Sequence, residues 1–316
     1  MGTRRNHFSL ALGALVLLVA ACSPGADNSA TPTSTTDTTI GSVEAGETTA
    51  PADPTDAQTA EPTDDGAEIL ALAVEDPIAA PGYYVSPSGD DAATGTTPED
   101  AFATIARGVK VLNPGDTLWV LDGEYTESER TDSAIVVDRS GTEDAWIRIA
   151  AYPDAEPIIR TVHKNGMKIE AASYIEVRGL TFEGTIDDNL LASGRYSGAG
   201  INVDGIFSGG AQNHHVRIID NTISGFGAGG IPVTGTSHVE IRDNVIFNVA
   251  TVDPDQHSGI SIFEPADQGF PDDDAGYSNY ITGNTVYRVE NTVPDPRLGR
   301  ITDGNCIIMD LTLETG

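Results

Sequence analysis

Between residues 253 and 310 the chain gathers most of the side chains it could use for chemistry. His257 closes the string Thr251-Val-Asp-Pro-Asp-Gln-His257 and directly precedes the alternating run Ser258-Gly-Ile-Ser-Ile262. An imidazole at the entry of a strand can take or give a proton near neutral pH. Around it stand the carboxylates of Asp253, Asp255, Glu264, Asp267, Asp272, Asp273 and Asp274, with Asp303 and Asp310 further on. Clustered oxygen donors suit a hard cation such as calcium, although the spacing is not that of an EF-hand. Asp253, Asp255, Asp267, Asp272 and Asp273 are the candidate ligands, and Glu264 is a candidate for substrate contact. Arg297 and Arg300 can hold a carboxylate by paired hydrogen bonds, or pair with the acids beside them. Asp303 and Asp310 are a second candidate set, two carboxylates able to divide acid and base roles. His214, His215 and His238 flank short turns and read as structural.

These residues need a scaffold, and a repeat supplies one. Val216-Arg-Ile-Ile-Asp-Asn-Thr-Ile223 and Val239-Glu-Ile-Arg-Asp-Asn-Val-Ile246 follow one pattern, with Asn221 and Asn244 spaced 23 residues apart. Asn279-Tyr-Ile-Thr-Gly-Asn-Thr-Val286 places Asn284 in the same slot, and Ile175-Glu-Val-Arg-Gly-Leu-Thr-Phe182 places Leu180 there. Each copy is preceded by a short strand opening on glycine: Gly166 to Ile169, Gly200 to Val203, Gly230 to Val233 and Gly259 to Ile262. This spacing predicts an all-β solenoid with two alternating strands per coil. Asn244 and Asn284 are 40 residues apart, so the coil between them carries insertions, at 251–257 and 264–276. A third insertion, 291–303, precedes the last strand. Long loops on a rigid scaffold are where function is usually placed.

The ends read differently. Residues 1–21 have Arg4 and Arg5 before an apolar stretch too short to span a bilayer comfortably, as in a signal peptide. Val19-Ala-Ala-Cys22 resembles the lipobox of bacterial lipoproteins, which implies lipidation at Cys22 and an extracytoplasmic protein anchored to the cell membrane. Residues 22–76 are Thr-, Pro- and Asp-rich, and the stretch from Ser23 to Gly66 lacks Lys and Arg, which predicts a disordered tether. The domain is expected over 77–316. With Cys22 lipidated, Cys306 has no partner for an intrachain disulfide; it reads as a packing substitution where the repeat has glycine. A formal charge of −31 disfavours nucleic acid and anionic lipid surfaces as partners.

The N-terminal part of the domain opens with Tyr83-Tyr-Val85 as a strand. Thr97-Pro-Glu-Asp100 then starts a helix, with Phe102, Ile105, Val109 and Leu112 on one face, and such a helix would cap the exposed core of a solenoid. Thr302 to Glu314 begins a further coil with no cap after it, so the natural protein is expected to continue.

Several stretches carry a family resemblance: Tyr83-Tyr-Val-Ser-Pro-Ser-Gly-Asp, Phe102-Ala-Thr-Ile, Pro114-Gly-Asp-Thr-Leu-Trp-Val, Ile147 to Ile158, the asparagine coils and Thr302 to Asp310. Together they resemble the right-handed parallel β-helix proteins of the pectate-lyase-like superfamily. The resemblance implies a right-handed parallel β-helix with an N-terminal capping helix and a ladder of Asn221, Asn244 and Asn284. It also implies action on polysaccharide, most often β-elimination from a uronic acid with a cation and a lysine or arginine base. In the calcium-dependent branch that lysine lies in a Gly-Asn-Gly strand. Here Gly304-Asn-Cys-Ile-Ile-Met309 has Ile308 in that place, leaving His257, Arg297 or Arg300, or the further coils expected after this sequence, to supply a base. The reading taken is a monomeric, lipid-anchored, cation-assisted polysaccharide lyase acting on uronic-acid-containing glycans, with calcium as the candidate cation. Two alternatives stay open: a glycoside hydrolase using Asp303 and Asp310, or a non-catalytic glycan-binding or structural surface protein.

Overall fold

The computed structural model describes residues 82–126, 133–162, 165–186, 198–206, 213–265, 279–302 and 304–310. Residues 1–21, Cys22, the tether, Asp267, Asp272, Asp273, Asp274 and Asp303 lie outside them, and of Asp310 only the backbone is described. Among the described residues, no helix is long and apolar enough to cross a membrane.

The chain winds as a parallel β-helix with three walls. Its strands form parallel sheets of seven, six and six strands, each strand pairing with the equivalent strands of the coils before and after. Each full coil therefore has three strands, where the sequence pattern suggested two. The reason lies at the asparagine: Val216 to Ile223 is continuous in sequence but turns sharply at Asn221, which divides it into His214–Ile219 and Thr222–Ser224. The 23-residue spacing survives as register, with Val216 opposite Val239 and Ile218 opposite Ile241. Alternate residues of each strand point inward, so Ile175, Val216 and Val239 stack in one column and Val177, Ile218 and Ile241 in the next, all fully buried. Each such side chain contributes about 1.5–3 kcal/mol of burial free energy. The alternate, outward column of the same wall is Glu176, Arg217 and Glu240, joined as cross-strand ion pairs.

The turn before each ladder position is set by backbone conformation. Gly179, Asp220, Asp243 and Gly283 all have positive φ, from 56° to 70°, a region that glycine tolerates and that aspartate enters more readily than most residues. The asparagines that follow are buried and linked. Asn221 Nδ2 donates to Asn244 Oδ1 at 3.0 Å, and Asn244 Nδ2 donates to Asn284 Oδ1 at 2.9 Å. The same oxygens accept the backbone N–H groups of Asn221 and Asn244, and Asn221 Oδ1 accepts from Leu180 N–H at 3.0 Å. Leu180 thus takes the ladder's first slot with its backbone alone. The expected ladder is present.

The glycines that open the strands of a second wall have a steric cause. A Cβ at Gly200, Gly230 or Gly259 would lie 2.3–2.5 Å from Ile223, Ile246 or Val286. Ile260 pairs with Ile307, which puts Cys306 opposite Gly259, and Cys306 packs partly buried against the core.

The N-terminal cap departs from the single helix expected. Pro98–Asp100 forms a 3₁₀ turn behind Thr97, and a separate α-helix spans Ile105–Val109. Between them Phe102 leaves helical geometry to bridge to Val85 in the first strand. Asp91 then restarts the chain as a helix: its carboxylate accepts from the N–H groups of Ala103 and Thr104, and Thr104 caps through Arg107 N–H at 3.1 Å. The four apolar residues assigned to one face are nevertheless all buried, at 3% exposure or less, so the cap closes the core as required.

Candidate functional site

One wall, made of the strands Ser133–Val137, Asn165–Glu170, Ile201–Asp204, Ile231–Thr234, Ile260–Phe263 and Ile307–Asp310, forms the floor of a cleft of about 620 Å³. Its floor carries Asn202, Asp204, Ser261 and Ile308, and its side carries Asp255, Gln256, His257, Asp295, Arg297 and Thr302. The side is built from the insertions around 251–257 and 291–303, so length variation and the cleft coincide. The floor follows from the pleat, since Val203 and Ile262 turn into the core while their neighbours face out.

At the cleft's edge the turn 253–257 is wound around a single carboxylate. Asp253 is fully buried, and one of its oxygens, Oδ2, lies 2.9 Å from His257 Nδ1 and accepts the His257 backbone N–H. Its other oxygen accepts the N–H of Asp255 at 3.0 Å. The imidazole is partly exposed, at 23%, while the carboxylate behind it is at 0%. A buried carboxylate on Nδ1 holds that nitrogen as the donor, which makes Nε2 the ring's acceptor nitrogen. Gln256 sits between them with φ of 63° and with its side chain turned inward.

On the same side of the cleft, Asp295 is nearly buried and grips Arg297 by a two-point contact: Nε to Oδ1 at 3.1 Å and Nη2 to Oδ2 at 2.9 Å. Arg297's side chain is otherwise 73% exposed. The hydrogen bond from Arg297, reinforced by its charge, holds the Asp295 carboxyl below the usual carboxylate range despite partial desolvation. The pairing leaves Nη1 outside the grip and fixes the fork at the cleft. Arg300, by contrast, is exposed and meets Asp295 through the backbone, where its carbonyl accepts the Asp295 N–H at 3.0 Å. Arg300 is not among the residues lining the cleft.

On the floor, Asp204 pairs with Lys168 at 3.1 Å, and Lys168 also meets Glu170 at 2.6 Å. Burial pulls the Lys168 ammonium down, but the two carboxylates outweigh it and hold it above its ordinary value. Lys168 therefore serves the wall as a paired cation. Ile308 faces the cleft, so the place where a lysine was sought does line the site, with an apolar side chain in it.

Of the residues singled out from sequence, the structure brings together His257, Asp253, Asp255 and Arg297. Glu264 lies just past the floor strand, exposed and at positive φ, and Arg300 stands apart. Among the described residues no three His, Cys, Asp or Glu side chains converge as a metal site, and Asp253 spends its oxygens inside its own turn, while the candidate calcium ligands Asp267, Asp272 and Asp273 lie outside those residues. The residues missed were Asn202, Asp204, Gln256, Ser261 and Asp295. Asn202 and Ser261 carry a signal in their alternation within glycine-led strands. Gln256 and Asp295 carry none.

The walls, ladder and cleft define a right-handed parallel β-helix of the kind that places a groove along one sheet. The chain belongs to the family described as Pel9A-like, right-handed β-helix region, whose model matches residues 83–288. No curated protein matches the sequence. Three solved structures illustrate the similarity. The pectate lyase Pel9A is 15% identical over 58% of this chain and 50% of its own, with a TM-score of 0.43. The alginate lyase from Paenibacillus sp. str. FPU-7 is 19% identical over 57% and 54%, with a TM-score of 0.41. The GH136 lacto-N-biosidase from Eubacterium ramulus is 17% identical over 66% and 40%, with a TM-score of 0.40. The chain spans about half the length of the first two and less of the third, and at these identities no chemistry is carried across.

Proposed function

We propose that this β-helix cleaves a uronic-acid-containing polysaccharide by β-elimination, with His257 as the base. The observation that carries the reading is the Asp253–His257 pair, an imidazole at the cleft's edge oriented by a fully buried carboxylate. Arg297 supports it as the cation that meets the sugar carboxylate, because Asp295 fixes the guanidinium in the cleft without enclosing it. In this scheme Nε2 of His257 takes the proton from the carbon next to the carboxylate. The electron pair left behind forms a double bond to the neighbouring carbon, the glycosidic C–O bond breaks, and the departing oxygen is protonated. Family membership supports a glycan as the substrate.

Export with a lipid on Cys22, action outside the membrane and a monomeric state belong to the same proposal, and rest on residues 1–76 and on the charge of the chain. Calcium enters no step here and is left to the test. The full chain is incubated with uronic-acid polymers, with calcium or with a chelator, and ultraviolet absorbance of the new double bond is followed. Release of unsaturated product that disappears with His257→Ala is the expected result. Reducing ends without unsaturation would replace the lyase with a hydrolase, and binding without turnover would replace both with a glycan-binding protein.

A further inference from the structure

Gln256 stands between the proposed base and the proposed cation, and the residue is 5% exposed. Nε2 donates to the carbonyl of Asp253 at 2.9 Å and to that of Val293 at 2.9 Å. Oε1 accepts the N–H of Thr302 at 2.9 Å. Both amide hydrogens and the carbonyl oxygen are thus used, and they reach three separate places. The first is the turn that carries His257. The other two are the near and far ends of the insertion that carries Arg297.

Both ends of that insertion are tied back to the segment that carries His257. At the near end Asn291 accepts the Val293 N–H at 3.0 Å and donates to the Asp253 carbonyl at 2.8 Å, and Thr292 N–H and Oγ1 both donate to the Thr251 carbonyl. At the far end the bond from Thr302 N–H crosses 46 residues to reach Gln256. We infer that Gln256 is a positioning residue: it clasps the far end of the Arg297 insertion to the His257 turn and so sets the spacing between base and guanidinium. A glutamine is suited to this task because one rigid amide offers donors and an acceptor in a fixed plane. Its consequence for substrate rests on the lyase reading, whereas the clasp itself does not.

The test uses the full chain with Gln256→Ala and with Gln256→Glu, which keeps the volume and the acceptor for Thr302 but removes the donors to the two carbonyls. Amide hydrogen exchange is read by segment. Loss of one buried bond should speed exchange in residues 298–302 about tenfold in Gln256→Ala, while residues 251–253 and 292–293 change much less. On a polymer that the wild type cleaves, Gln256→Ala should raise KM about tenfold and leave kcat within about threefold, since His257 keeps Asp253. Adding Arg297→Ala to Gln256→Ala should then cost little more, because the guanidinium has already lost its place. Unchanged exchange at 298–302 in both variants would overturn the clasp. So would a loosened far end with an unaltered KM and effects that simply add. If the wild type cleaves no uronic-acid polymer, the lyase reading falls, and the exchange pattern alone decides the clasp.

Discussion

Asn244 on one corner of the coil and Asn291 on another are both buried amides, and they answer to different neighbours. Asn244 bonds to its own kind, Asn221 before it and Asn284 after it, at intervals set by the coil. Asn291 bonds to Asp253 and Val293, which repeat nowhere. Burial forces both to find partners, since an unpaired amide in the core costs several kcal/mol relative to water. On the ladder corner the partner arrives automatically with each new coil. On the cleft side every partner had to be found separately, by an insertion of its own length and composition. The first arrangement yields a uniform wall, and the second yields a place where Asp253 and His257 can be brought to 2.9 Å.

That contrast can be tested at either end. The largest effect should come from the cleft: His257→Ala should lower unsaturated-product formation by about a thousandfold, and Asp253→Asn should cost about a hundredfold. A variant of either residue that keeps full turnover would remove the cleft's claim to be anything more than a loop junction. Next comes the ladder. Asn244→Ala strips partners from Asn221, Asn284 and the Ile218 carbonyl together, and should destabilise the domain by about 3 kcal/mol in a denaturant titration. A loss below about 1 kcal/mol would mean that the amides are ornamental to a core held by its aliphatic columns.

The smallest effect concerns pH. Because Arg297 holds the Asp295 carboxyl below its ordinary value, the pair adds stability that is complete once pH exceeds the usual carboxylate range, and that is lost as pH falls through the lowered value. Asp295→Asn should therefore separate from the wild type at neutral pH and converge with it in acid, with a gap that shrinks in salt because Arg297 is largely solvated. A gap that widened in acid would have the opposite sign and would rule out the pairing.

Periodicity decided what could be read from the residues alone. Asn221, Asn244 and Asn284 were legible as a ladder because each recurs beside the same apolar pattern, and the cap's Phe102, Ile105, Val109 and Leu112 were legible as buried. Three strands per coil were not, since the corner at Asp220-Asn221 is made by one positive φ within an unbroken apolar string. Nor was the split in the cap, where Asp91 acts from outside the segment it restarts. In the site, His257 was found by its place at a strand entry, and Arg297 by its type. Asp253 was noticed as an oxygen donor for a cation, whereas the structure turns it towards its own turn. Gln256 and Asp295 were invisible because their meaning lies in residues 37 to 46 positions away, or in a grip that no pattern announces.

The direction of the ladder carries one more consequence. Asn221 and Asn244 each hand a hydrogen to the asparagine of the later coil, Asn221, Asn244 and Asn284 each offer an oxygen to the earlier one, and even Leu180 fits by lending its backbone N–H. Such a joint has a plug on one side and a socket on the other, the same at each junction. A segment of 23 residues copied in tandem would therefore meet compatible neighbours at once, with no compensating change elsewhere. Lengthening by duplication is open to this gene in a way that rearrangement of the cleft is not, so its lineage can vary the reach of the groove far more freely than the chemistry inside it.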